Sequence, residues 1–232
     1  MKIVAFVPVK LNNERLPGKN LKPFFDGTPL LHFILKSLLK VTEIEKVYVF
    51  CSEERIREYL PEKICFLKRP AELDAAEAAP QDIMREFIAR VDADIYVTSH
   101  ATAPFVSEEH IRECVVKVQS GDFDSAFTAE KMQRLLWKDE KPMNFKADHI
   151  PRTQDLEIIY SEVSAVYVYK KDVFLSSNRR IGDHPYICEV SGAECIDIDD
   201  PEDFLIADAV YEKIICRCQG KDSREEGNVC VM

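Results

Sequence analysis

Apolar positions along this chain switch repeatedly between two periods. Ile3-Val4-Ala5-Phe6-Val7 is an unbroken apolar run, the pattern of a strand buried on both faces. From Pro29 to Leu39 the period changes. Leu30, Leu31, Ile34, Leu35 and Leu38 recur at three- and four-residue spacing, as on the buried stripe of a helix. The alternation then continues. Val47–Phe50 predicts a strand, Glu53–Tyr59 a short helix and Ile64–Leu67 a third strand. Gln81–Val91 predicts a helix with Ile83, Met84, Phe87 and Ile88 on one stripe. Ile95–Thr98 predicts a fourth strand, and Ser107 is a good N-cap for another helix. Strands alternating with helices imply an α/β fold, with a mostly parallel sheet covered on both faces. In such sheets ligands gather at the carboxyl ends of the strands.

The rhythm breaks at about residues 135–186. Charged and proline-containing loops there surround one alternating run, Ser164-Ala165-Val166-Tyr167-Val168-Tyr169. This stretch reads as an excursion from the sheet, suited to contacting a second subunit or capping a site. Just before it, Asp122-Phe123-Asp124 reads as a turn into a strand rather than a metal site, and Trp137 as a packing residue rather than a stacking platform. After it, Ala193–Ile198 is expected to return to the sheet as a strand. Pro201–Ile215 predicts the last helix, with Asp200 as N-cap and proline at the first position. The organisation expected is therefore one domain over residues 1–216. Residues 217–232, polar and carrying Gly220 and Gly227, are expected to form a loose tail.

Composition narrows the function classes. The 31 Lys and Arg against 41 Asp and Glu leave a formal net charge of -10. Nucleic acid and anionic membranes select for basic excess, so neither is expected as a partner. Apolar runs are interrupted by charge or proline well short of the ~20 residues needed to span a bilayer. No leader pattern is visible at the start, so the expectation is a soluble, cytoplasmic protein. The eight cysteines are scattered. Cys216 and Cys218 form the only close pair, and its spacing matches zinc sites poorly, so reduced thiols are expected.

Two groups of residues carry candidate chemistry. After the first strand, the loop Lys10-Leu11-Asn12-Asn13-Glu14-Arg15-Leu16-Pro17-Gly18-Lys19-Asn20 holds three cations: Lys10, Arg15 and Lys19. At the carboxyl end of a strand, such a loop suits a polyphosphate, with Gly18 permitting close approach. It is equally consistent with a solvated basic loop, since no Walker-type glycine pattern is present. Near the other end, Asp197-Ile198-Asp199 puts two carboxylates on one side of an extended segment. They repel unless a cation lies between them, and oxygen donors favour Mg²⁺. Together the two groups point to a nucleoside triphosphate and a metal.

Segments distributed along the chain then resemble the acylneuraminate cytidylyltransferase family, the CMP-sialic acid synthetases and their CMP-3-deoxy-octulosonate relatives. Val7–Asn20 is similar to that family's I-P-A-R-x-G-S-x-G/R-L-P-G-K-N loop. Arg69-Pro70-Ala71-Glu72-Leu73 looks like its R-P-A-E-L segment, and His100-Ala101-Thr102-Ala103-Pro104-Phe105 its Q-P-T-S-P-L segment. Pro151-Arg152-Thr153-Gln154-Asp155-Leu156 resembles P-R-x-Q-x-L, and Ile196-Asp197-Ile198-Asp199 resembles I-D-I-D. These segments occur in order over roughly residues 3–210.

The resemblance implies a Rossmann-like three-layer sandwich and a homodimer formed through the excursion. It also implies a Mg²⁺-dependent nucleotidyltransferase reaction, in which CTP and a 2-keto sugar acid give CMP-sugar and pyrophosphate. On that reading Asp197 and Asp199 hold the metal, and Lys10, Arg15 and Lys19 bind the triphosphate. Lys10, Arg15, Lys19 and Asp199 form the catalytic set. Asn12, Asn20, Arg69 and His100 face the nucleotide, and Arg152 and Gln154 lie near the sugar acid. Departures from the pattern fall at Lys10 in place of Arg, at Asn12-Asn13 in place of G-S, and at Glu14 in place of Lys. Glu162-Val163-Ser164-Ala165 replaces x-N-G-A. The acceptor is therefore left open between sialic-acid-like, octulosonate and legionaminic types, beside a catalytically weakened binding homologue.

Overall fold

The apolar run at the start of the chain forms β1 (Ile3–Val9). Strict alternation divides its side chains between two cores. Ile3, Ala5 and Val7 join one cluster, and Val4 and Phe6 the other. Helix α1 (Leu30–Leu39) covers the first face, burying the five leucine and isoleucine residues of its predicted stripe. β2 (Lys46–Cys51) and β3 (Ile64–Lys68) then extend the sheet parallel to β1. The predicted helix between them is a 3-10 segment, Glu54–Tyr59. Helix α2 (Pro80–Arg90) packs on the second face, where Phe87 stacks on Phe6 with ring centroids 4.0 Å apart. β4 (Ile95–Ser99) returns to the free side of β1, also parallel. Helix α3 (Glu108–Gln119) follows on the first face, capped by the Ser107 side chain.

Beyond α3 the sheet continues with β5 (Ser125–Met132), which begins just after the Asp122–Asp124 turn. A small separate hairpin follows, β6 (Trp137–Lys138) paired with β7 (Lys141–Pro142). β8 (Ile159–Lys170) then inserts between β4 and β5, antiparallel to both. Helix α4 (Lys171–Ser177) leads to β9 (Pro185–Val190), which pairs parallel to β5 at the sheet edge. The strand order is β3-β2-β1-β4-β8-β5-β9. This is an α/β, Rossmann-like arrangement with helices on both faces of a mostly parallel sheet. The computed structural model describes residues 1–75 and 77–216; Ala76, Cys218 and the stretch expected as a loose tail lie outside them. The described cysteines are free thiols, and Cys216 is half-buried.

Two expectations need correction, while the last helix runs over the expected residues. Ala193–Ile198 is not a strand: Gly192–Cys195 is a 3-10 turn, and Ile196–Asp199 is extended without a ladder partner. The strand in this part of the chain is β9, which starts inside the stretch assigned to the excursion. At a sheet edge it buries only part of its surface, so its apolar pattern is weak. β8 also starts earlier than the expected Ser164, because its first residues pair with the outer part of β5. The last helix is α5 (Pro201–Val210), continued by a π-helical turn, Tyr211–Ile215. Asp200 caps it in a reciprocal capping box with Asp203.

The loop between α4 and β9 is clamped to the sheet by Asp124. Its Oδ2 accepts from the Asp183 and His184 N–H groups at 2.8 and 2.9 Å. The Gly182 N–H donates to Ser125 Oγ at 2.8 Å. Burial alone would raise the Asp124 pKa, but these N–H bonds and the Ser125 hydroxyl outweigh it and leave it lowered. A Cβ on Gly182 would overlap the Asp124 carboxylate. Gly182→Ala is therefore expected to lower stability by about 1–3 kcal/mol, as for other overpacking changes. A chemical-denaturation midpoint equal to wild type would show that the clamp yields freely.

Candidate active site

Sheet growth reverses direction between β1 and β4, and a cavity of about 260 Å³ opens at their carboxyl ends. Lys10 lines it from the end of β1, and Thr98 and His100 from the end of β4. Arg69 and Asp74 contribute from the segment after β3, and Arg180 from the clamped loop. Arg69 is only 3% exposed and is ion-paired with Asp74, whose other oxygen accepts from Ser52 Oγ. The Arg69 Nε is buried and has no hydrogen-bond partner among the described residues. His100 is half-buried, and its N–H donates to Ala165 O at 3.2 Å. Burial, reinforced by the Arg180 guanidinium, pushes its pKa down to about 4. At neutral pH it is an uncharged ring that donates or accepts a hydrogen bond.

The basic loop folds back on itself. Gly18 adopts φ 68°, which turns the chain into the 3-10 segment Lys19–Leu21. Asn20 Nδ2 donates to Lys10 O at 2.8 Å and closes the loop end on its start. Lys19 and Asn20 are buried. The loop also meets the acidic segment from the far end of the chain. Lys19 Nζ donates to Ile198 O at 2.7 Å and lies 3.5 Å from Asp199 Oδ1, while Arg15 pairs with the same oxygen at 2.7 Å. An apolar plug holds the two segments together: Leu16 and Ile198 share a buried cluster with Phe24, Leu30, Phe204 and Ala207. The Ile198 N–H donates to Thr102 O at 2.8 Å and joins the acidic segment to the loop after β4.

Among the residues named from sequence, then, Arg15, Lys19 and Asp199 converge, with Asn20 directly behind them. Lys10, Arg69 and His100 converge on the cavity. Asp197 is exposed on the other side of buried Ile198 from Asp199 in sequence, so the alternation survives without the predicted strand. The described residues contain no cluster of three or more His, Cys, Asp or Glu arranged for a metal. The pair Asp197 and Asp199 still fits Mg²⁺ in kind, since it offers hard oxygen donors only. Mg²⁺ is commonly held by one or two carboxylates, with substrate phosphates completing its shell.

Asn12 and Glu14 are exposed. Arg152 and Gln154 lie on an exposed 3-10 turn, apart from the cavity lining. The Arg152 guanidinium is already held by Asp155 through two bonds, at 2.8 and 3.1 Å. Four polar residues of the cavity region escaped sequence reasoning: Asp74, Ser52, Thr98 and Arg180. Only the Arg179-Arg180 pair left a visible trace, as a basic doublet inside the excursion.

Residues 4–222 match the family described as Cytidylyltransferase. The chain belongs to that family. Among curated relatives, it is 23% identical over 216 residues to an N-acylneuraminate cytidylyltransferase of Streptococcus agalactiae serotype V, covering 88% of this chain and 52% of that protein. It is 25% identical over 237 residues to a Helicobacter pylori protein named pseudaminic acid cytidylyltransferase and UDP-2,4-diacetamido-2,4,6-trideoxy-beta-L-altropyranose hydrolase. That match covers 94% of this chain and 46% of the relative. The chain thus spans about half the length of these curated relatives. The fold superposes on a CMP:2-keto-3-deoxy-manno-octonic acid synthetase complexed with CTP, at a TM-score of 0.67 and 15% identity. The superposition covers 92% of this chain and 99% of the other.

Within this family member, Asp203 secures the acidic segment. Its Oδ2 accepts from the N–H groups of Asp199 at 2.9 Å and Asp200 at 3.0 Å. These bonds lower its pKa below 3.8, assisted by the nearby cations Lys19 and Arg15. The stabilisation is therefore complete above the ordinary aspartate range and is lost as pH falls through the depressed value. Asp203→Asn is expected to be less stable than wild type at pH 7, with the gap closing in acid. Urea denaturation across that range checks this, and a gap independent of pH would remove the carboxylate from the account.

Proposed function

We propose that this chain is a CTP-dependent nucleotidyltransferase that activates a 2-keto sugar acid, giving CMP-sugar and pyrophosphate. One observation carries the reading: the basic loop and the acidic segment, far apart in sequence, meet through Arg15, Lys19 and Asp199, and the start of the same loop, Lys10, lines a cavity with Arg69 and His100. A polyphosphate needs cations arranged around a turn, and the metal that accompanies it needs carboxylates within reach. The family match and the activities for which its relatives are named support the cytidylyl donor and the sugar-acid acceptor class.

In this reading the acceptor's anomeric hydroxyl attacks the α-phosphorus and pyrophosphate departs opposite. Lys10, Arg15 and Lys19 bind the triphosphate and neutralise charge on the leaving pyrophosphate. Asn12 and Asn20 serve the nucleotide from the loop, Asn20 by holding the loop closed through Lys10 O. Arg69 and uncharged His100 offer hydrogen bonds inside the cavity. Asp197 and Asp199 would hold Mg²⁺, which when bound neutralises phosphate charge and favours ionisation of the attacking hydroxyl.

A homodimer formed through the excursion is part of the same proposal. Trp137, Met143 and Ile150 are exposed large apolar side chains within a short stretch, a concentration that suits a protein contact. Trp137 lies edge-on to Phe145 at the exposed hairpin rather than against the sheet. Among the described residues no helix is long and apolar enough to cross a membrane, and a cytoplasmic location is proposed with the function.

Pyrophosphate release with four nucleotides and a panel of 2-keto sugar acids tests the reading. CTP is expected to be the donor used, and turnover is expected to vanish in EDTA and return with Mg²⁺. Arg15→Ala should raise the CTP KM about tenfold or more, the loss of a charge-assisted contact. Asp199→Ala should lower kcat by at least about 100-fold. Its melting temperature should fall only modestly: the Arg15 pair is solvent-exposed, and the nearly buried Lys19 loses a carboxylate at 3.5 Å but keeps the Ile198 carbonyl. Turnover at the wild-type rate in Asp199→Ala would exclude the metal role.

A further inference from the structure

We propose that Arg180 is the residue that binds the acceptor's carboxylate, a specificity contact that rests on the function proposed above. Arg180 lines the same cavity as His100, Lys10 and Arg69. Its guanidinium carbon lies 3.4 Å from the centre of the Tyr167 ring, and one terminal nitrogen donates to Glu162 Oε1 at 3.1 Å. Among the described residues that is its only hydrogen bond. The stacked plane is fixed while its other N–H donors are unspent, the state required for a planar, bidentate carboxylate contact. The side chain is 25% exposed, partly shielded from water yet open to a ligand.

The surroundings are built to hold it there. Glu162 and Tyr167 lie an odd number of residues apart on β8, so strict alternation would place them on opposite faces. Between Phe127 and Ala129 of β5 the register shifts from Tyr167 to Glu162, and the bulge brings the two side chains together. The Tyr167 hydroxyl donates to the same Glu162 oxygen that receives Arg180. Burial and this bond raise the Tyr167 pKa to about 12, so the hydroxyl stays protonated. The bulge is anchored from β4: Ser99 Oγ donates to Ala165 O at 2.6 Å, and the His100 N–H donates to the same oxygen. From the other side, the Asp124 clamp fixes the loop that carries Arg180. The segment that departs from the family pattern, Glu162-Val163-Ser164-Ala165, is the bulge that positions this arginine.

The other cations near the cavity are less suited. Arg69 is committed to Asp74, and Arg15 and Lys19 to the acidic segment. Arg152, expected from sequence to serve the sugar acid, spends its fork on Asp155 outside the cavity. The carboxylate of a 2-keto acid adjoins the anomeric carbon, so an arginine that grips it also orients the attacking hydroxyl.

The test is steady-state kinetics of wild type, Arg180→Ala and Arg180→Lys on CTP with nine-carbon and eight-carbon 2-keto sugar acids and their carboxamides. Arg180→Ala is expected to raise the KM for the acid between about 10- and 100-fold, with the CTP KM within about twofold of wild type. It should also lose the wild type's preference for acid over carboxamide, a change that loosened packing would not produce. Arg180→Lys should recover part of that preference, and it supplies the reading if the alanine variant melts early. A variant that keeps the preference, or whose CTP KM rises in step, overturns the assignment of Arg180 while leaving the function intact. A wild type that uses CTP but shows no preference for acid over carboxamide overturns it as well. A wild type that releases no pyrophosphate from CTP with any acid overturns the proposed function and this inference together.

Discussion

A nearly buried lysine decides the geometry of this molecule's cleft. An ammonium withdrawn from water is costly unless oxygen surrounds it, and Lys19 finds that oxygen in the Ile198 carbonyl and the Asp199 carboxylate. To supply them, the segment after β9 must cross the carboxyl edge of the sheet and lie against the loop after β1. The apolar plug around Leu16 and Ile198 holds the segments in contact, so the polar bond need not carry the association alone. The capping box of α5 then fixes the end of the segment, with Asp203 gripping two successive N–H groups. Charge, plug and cap act on one another's neighbours, and the result is a basic loop and an acidic segment held side by side.

The opposite wall of the cleft depends on one antiparallel strand in a mostly parallel sheet. β8 enters between β4 and β5 and carries a bulge at the mouth of the cavity. Bulges re-aim side chains locally without disturbing the rest of a ladder, and here the bulge gathers Glu162 and Tyr167 around Arg180. Both walls follow one logic. In each, a cation is stripped of part of its water and held by a carboxylate, close to a space an anion can enter. Such cations need little reorganisation when an anionic ligand arrives, which is the condition for strong electrostatic stabilisation.

Much of the fold was legible in the sequence. β1, β2, β4, α1, α2 and α3 declared themselves because each buries a full face or stripe, and β3, though a partly buried edge strand, keeps a short unbroken apolar run. β9 did not, since an edge strand buries only part of its surface and its residues alternate weakly. The extended Asp197-Ile198-Asp199 segment read as a strand because it alternates like one, but alternation reports burial of Ile198 and says nothing of a ladder partner. Half of the candidate site was legible for a different reason: Lys10, Arg15, Lys19 and the two aspartates sit in short, dense motifs. Asp74, Ser52 and Arg180 sit singly in loops, where no period marks them.

What the amino-acid order determined by itself was therefore local: which stretches are buried, which are capped, and which loops are dense in charge. Only the tertiary structure decided partnership. It joined Lys19 to Asp199 across the chain and placed Arg180 at the cavity with Glu162 and Tyr167. The reason is that burial and helix capping act over a few residues and leave a period or a motif behind. A pairing between distant charges is set by the path of the whole sheet, and it leaves no local mark on either partner.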